Sequence, residues 1–216
     1  MVEGEIILKA VEEIQIKTFG LTQQFLDIHE IEFRDPLMLR VDTEREDGIA
    51  VVYFPVKNEK FNFAVYLETS PNVVVRNVDT VPYSSVYFKA ISADLDFRQL
   101  AALTVLPSSG GWERGDKRGA GKVTYENSCI RFEPNPGPDD FEDKLRKLIL
   151  FLEQDAAGIT ALAKVAAGFI QVAMEFHNGN TMLGGPHINQ DLIRRMGLLN
   201  LEIDFDLYVG GNALKS

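Results

Sequence analysis

The chain is 216 residues long and carries a formal net charge of −10, with 32 acids against 22 bases and 45% apolar residues. That composition supports one sizeable core or two small ones. The acidic balance excludes bulk electrostatic binding to nucleic acid or to an anionic membrane, and the apolar runs fall far short of the roughly 20 residues that cross a bilayer. Cys129 is the single cysteine, so no intramolecular disulfide forms. The opening VEGEIILKAVEE carries acids where a secretory signal carries bases, and a cytoplasmic protein is expected.

The opening segment, residues 5 to 19, fits either a helix through Ile7, Ala10, Val11 and Ile14 or a strand through Ile14, Ile16 and Thr18. Beyond it the first eighty residues are strand-rich. Ile49 to Val56 and Phe61 to Leu67 are β-branched and aromatic runs joined by KNEK, which predicts a hairpin. Leu37 to Val41 and Val73 to Val78 form a second pair, bounded by the turns Asp35-Pro36 and Ser70-Pro71-Asn72.

After Val81-Pro82 strands alternate with helices. Ser84 to Ala93 is a strand, followed by a short helix that Asp96 and Gln99 open as a capping box. Val123 to Phe132 is the next strand. The turn Asn135 to Asp139 leads into a helix with Phe141, Leu145, Leu148, Ile149 and Leu152 on one face. A further helix is expected over 157 to 166, then a strand from Phe169 to Phe176. A loop through Gly184-Gly185-Pro186 precedes a helix capped by Asn189, and the last strand runs from 201 to 209. The predicted class is α+β, a mainly antiparallel sheet with helices on one face, preceded by the strand-rich region 1–80. Residues 84–132 and 169–209 both read strand–helix–strand, which invites comparison as a duplication although their residues do not clearly repeat.

The segments SVYFKAISADLDFRQLAALT, GWERGDKR, FIQVAMEFHNGN and INQDLIRRMGLLNLEIDFDLYV occur in this order over residues 84 to 209. With Trp112, Arg114, Gly115 and Asp116 in one motif and Tyr208 in the Leu-rich ending, this part resembles the bacterial family called domain of unknown function 4279. The resemblance implies a fold for residues 81–216 and no chemistry, and it makes residues 1–80 an N-terminal extension.

Three places are candidates for function. The segment GGWERGDKRGAGK gathers five glycines, the only tryptophan and four basic side chains. Glycine lets backbone amides approach a ligand, the bases supply charge and the indole a stacking surface. Trp112, Arg114, Asp116, Lys117 and Arg118 are therefore the candidate binding residues, although neither a P-loop nor a dinucleotide spacing is present. The bland alternative is a solvated connection with Trp112 packed at the core edge. In the last strand Glu202, Asp204, Asp206 and Tyr208 share a face, which reads as a solvated sheet surface because same-face neighbours about 7 Å apart do not close a coordination sphere. Glu175 and His177 share a face of their strand and are the secondary candidates, with Asp204 or Asp206 as expected neighbours if the strands pair.

No nucleophile elbow, zinc spacing or catalytic constellation is present, so no cofactor, metal or catalytic residue is expected. Two classes remain: a noncatalytic protein-binding protein, adaptor or immunity-like, whose acidic surface meets a basic partner, and a small-anion binder or enzyme sited at the Trp112 loop. The first is preferred. Self-association through a strand edge stays open.

Overall fold

The computed structural model describes residues 3–32, 39–45, 47–179 and 185–214. The opening segment is helical: α1 (Glu3–Ile16) buries Ile6, Ile7, Ala10 and Ile14 on one stripe. It is followed by the short α2 (Gly20–Leu26), whose N-terminus has no side-chain cap of its own. A side chain of α1 holds the turn that leads into it. Glu13, 3% exposed, accepts the Phe19 N–H and the Thr22 hydroxyl on Oε1 at 3.2 and 2.6 Å, and the Thr18 N–H and hydroxyl on Oε2. One buried carboxylate thereby satisfies two backbone N–H groups of the turn before the second helix and a hydroxyl of its first turn, and sets the corner between the two.

Four strands make the first sheet in the order β1 (Arg40–Asp42), β2 (Ile49–Pro55), β3 (Asn62–Glu68), β4 (Val74–Val81), all antiparallel. The expected hairpin is β2–β3, with Val52 opposite Val65. Both faces of β2 and β3 are buried, and this is why the sequence there is continuously apolar rather than alternating. Ala50, Val52, Phe54, Phe63 and Val65 pack with Ile6, Ala10 and Phe25 of the two helices. Val51, Tyr53 and Ala64 form a second, smaller cluster with Val81 on the other face. Of the predicted strand at 37–41, residues 37 and 38 lie outside the described residues, as do Asp35-Pro36 and Gly184.

Pro82 alone separates β4 from β5 (Tyr83–Ser92), so one nearly continuous ribbon passes from the first sheet into the second. The second sheet has the order β6 (Gly110–Trp112), β7 (Ser128–Phe132), β5, β8 (Ala167–His177), β9 (Glu202–Gly210). Its pairings are antiparallel except for β8–β9, which is parallel. The two strand–helix–strand units thus differ, β5 and β7 pairing antiparallel where β8 and β9 run parallel. The helices α4 (Phe141–Leu152), α5 (Ala156–Val165) and α6 (Gln190–Leu198) all pack on one face, where Leu145, Leu148, Ile159 and Leu192 meet Phe88, Ile130, Ile170 and Val172. The fold is α+β.

The caps follow the local chemistry. The Asp96–Gln99 box opens α3 (Phe97–Ala101), Asp155 accepts the Gly158 N–H at the start of α5, and Asn189 accepts the Leu192 N–H at the start of α6. The strand expected from Val123 begins only at Ser128. Residues 115–125 instead fold back on themselves, Gly115 and Arg118 donating to the carbonyls of Tyr125 and Val123 at 2.8 Å, and Val123 is left exposed. None of the described helices is long and apolar enough to cross a membrane.

Candidate functional site

The glycine-rich segment is a built arm of the sheet. Its first residues are the edge strand β6, where a side chain on Gly111 would meet the Cys129 carbonyl oxygen at 2.0 Å and the Phe97 ring at 2.8 Å, at φ +154. Only glycine fits there, for a packing reason. Trp112 stacks on Tyr125 across the arm, centroids 4.5 Å apart and planes 17° from parallel. Arg114 donates to the Ala93 carbonyl at 2.8 Å, and Asp116 accepts the Glu113 N–H at 2.8 Å. Glu113 ties the arm back to the body by accepting from the Phe97 N–H and the Ser128 hydroxyl. Trp112, Arg114 and Asp116 are thus committed to the arm's own structure. Lys117 and Arg118 are exposed, and Arg118 borders a depression of ≈ 360 Å³ beside Trp112 and Tyr125.

Glu175 and His177 share a face of β8 and take different partners. The parallel register sets Glu175 beside Tyr208 and His177 beside Gly210, whereas Asp204 and Asp206 lie beside Gln171 and Ala173. Glu175 pairs with Lys60 at 3.2 Å. His177 turns to a residue that no sequence spacing indicated: its Nε2 lies 3.0 Å from Nε2 of His29 and 2.7 Å from the Asn212 carbonyl oxygen. The pair is walled by Phe25 and Phe61, with centroids 4.7 to 5.5 Å from the imidazoles. Burial holds the His177 imidazole below its usual pKa, and the neighbouring His29 pushes the same way against the Asn212 acceptor.

Cys129 is fully buried, and that burial pushes its thiol up to about 11, as expected of a packing residue rather than a nucleophile.

The helix-free face of the second sheet is a polar surface. Lys89 donates to Gln171 Oε1 at 3.1 Å, and Gln171 donates to Asp206 Oδ2 at 3.2 Å. Arg131 lies 3.8 Å over the Tyr87 ring and also donates to Ser85 and Glu133. At the rim β9 is the terminal strand. Glu202, Asp204 and Asp206 are exposed, as are Leu207, Tyr208 and Val209, each more than half.

A family model described as a domain of unknown function, DUF4279, matches residues 82–210, more than half of the chain and the whole of the second sheet with its helices. The chain belongs to the DUF4279 family. Within the DUF4279 region lie the Trp112 arm, the polar sheet face and β9, while His29 and the first sheet precede it. No curated protein and no solved structure matches the chain.

Proposed function

We propose that this DUF4279 protein is a noncatalytic, cytoplasmic protein-binding protein that takes a basic partner segment as an added strand along β9. The observation that carries this reading is the nine-residue edge strand. Among the described residues no strand pairs with its outer side, and Glu202, Asp204 and Asp206 are exposed along it. A free edge is a template for another chain, and main-chain hydrogen bonds supply affinity while alternate side chains supply selectivity. Three acids in a nine-residue strand disfavour pairing with a second copy of itself, since like charges across a ladder repel. They favour a Lys- or Arg-bearing strand for the same reason. Exposed Leu207 and Val209 on the opposite side of the strand add apolar contact. Committing Trp112, Arg114 and Asp116 to intramolecular contacts leaves the loop less suited to an anion.

The test is an amide NMR titration of the full chain with an extended peptide of alternating lysine and valine, against its glutamate counterpart. Saturable shifts confined to residues 202–210, produced by the lysine peptide and abolished by Asp204→Lys with Asp206→Lys, are the expected result. Equal responses to both peptides, or shifts scattered away from β9, overturn the reading.

A further inference from the structure

At the junction of the two sheets the chain gathers oxygen donors from two distant segments. Asp42 of β1 and Asp139 and Asp143 at the start of α4 each place a carboxylate oxygen within 4.8 Å of the others. Asp42 and Asp139 are 4% and 2% exposed. A buried carboxylate ordinarily has a cation or a metal beside it. Asp139 has Lys147 at 2.6 Å and Asp143 has Arg146 at 2.5 Å, but among the described residues Asp42 accepts one hydrogen bond, from the Glu44 N–H at 3.0 Å, and makes no ion pair.

A second observation points to the same spot. Tyr53 is 1% exposed, and its hydroxyl has no hydrogen-bond partner among the described residues. Buried hydroxyls are nearly always paired, so an orphan one marks a place for a water or an ion. Tyr53 and Val51 share a face of β2, and Val51 pairs with Asp42 in the ladder, so the phenol lies diagonally beside that carboxylate. The carboxylates that bear on its hydroxyl are those of Asp140, Asp139 and Asp42.

The geometry points to a divalent-cation site for Ca2+, built from Asp42, Asp139 and Asp143 with the Tyr53 hydroxyl. An all-oxygen donor set of carboxylates selects a hard cation. Three carboxylate oxygens within 4.8 Å of one another can share one ion, and an irregular set drawn from two segments suits Ca2+, which tolerates flexible geometry, better than Mg2+, which demands a near-ideal octahedron and keeps several waters. The ligands are also held in place. Asp139 is oriented by Asn135, Lys147 and the Asp140 N–H, Asp42 by the Glu44 N–H and Asp143 by Arg146. Among the described residues Oδ2 of Asp42 and of Asp143 accepts no hydrogen bond, and Asp143 borders a cleft of ≈ 330 Å³ through which an ion would enter. The site stands apart from β9 and does not depend on the binding reading.

Calorimetric titration of chelator-treated full chain with Ca2+ tests it, with Mg2+ alongside and Asp94→Asn as a control distant from the cluster. One saturable Ca2+ site is expected, unchanged in Asp94→Asn and weakened more than about tenfold in Asp42→Asn and in Asp143→Asn. Circular dichroism verifies that each variant folds; should Asp42→Asn not fold, Asp143→Asn, at the solvent edge of the cluster, decides. Tb3+ in place of Ca2+ gives a second readout, since a ligating phenol sensitises its luminescence and Tyr53→Phe would dim it. No saturable Ca2+ binding, binding that survives in Asp143→Asn, or preference for Mg2+ overturns the assignment.

Discussion

The Nε2 atoms of His29 and His177, 148 positions apart in the chain, face each other at 3.0 Å where the two sheets meet. Gly179 donates its N–H to His177 Nδ1, so in the neutral ring the proton sits on Nε2 and is donated to the Asn212 carbonyl. Burial disfavours the charged form of this imidazole in the folded protein, whereas in the unfolded chain it takes up a proton near pH 6.5. Its contribution to stability is therefore complete above about 6.5 and is lost as pH falls through the lower folded-state pKa. Urea midpoints measured from pH 8 to 5 should decline more steeply in the wild type than in His177→Gln. Parallel declines would show that the pair does not couple to folding. Glu59 acts in the opposite sense and Glu59→Gln should steepen the decline.

Glu13 of α1 holds the turn into the next helix. Glu13→Ala removes a buried carboxylate and strands the Thr22 hydroxyl together with two N–H groups of the α1–α2 corner. A loss of about 2–4 kcal/mol in denaturant unfolding is expected.

Gly111 and Gly119 both have positive φ, yet only Gly111 is hemmed in. Gly111→Ala should cost about 2–4 kcal/mol or detach β6 from β7. Gly119→Ala should cost about 1 kcal/mol, since open space surrounds it. Unfolding midpoints of the two variants measured side by side make the comparison.

The emission of Trp112 reports on the arm because it is the sole indole. Tyr125→Ala should shift it to the red and destabilise the protein by about 1 kcal/mol, as the stacked partner is lost. Titration with nucleotides and sugar phosphates should leave the emission flat. A saturable change abolished by Lys117→Ala and Arg118→Ala would instead place an anion site there.

Those residues also mark what the sequence makes legible. The capping box at Asp96, the apolar stripe of α4 and the β2–β3 hairpin were readable because each rests on neighbours a few residues apart. The segment 5–19 was not, because Ile14 fits both a helical stripe with Ile7, Ala10 and Val11 and a strand alternation with Ile16 and Thr18, and tertiary packing against β2 and β3 decides for the helix. Val123 and Tyr125 have strand chemistry, but the arm folds back on itself instead of extending β7. Longer-range facts left no local trace. That β9 runs parallel to β8, so that His177 lies beside Gly210 rather than Asp206, is set by a crossover through α6. Asp42, Asp139 and Asp143 follow no metal-binding spacing, and only the approach of β1 to the start of α4 brings them together.

The single proline between β4 and β5 has a mechanical consequence. With one residue as the joint, the covalent link between the sheets behaves as a crank and not as a tether, and β5 is the central strand of its sheet. Any swing of the first sheet must bend that strand or break the contacts that span the junction, His29 to His177, Arg45 to Asp140 and Lys60 to Glu175. Those contacts form at a very high effective concentration as a result, and lengthening the joint at Pro82 with a few glycines would dilute all three at once.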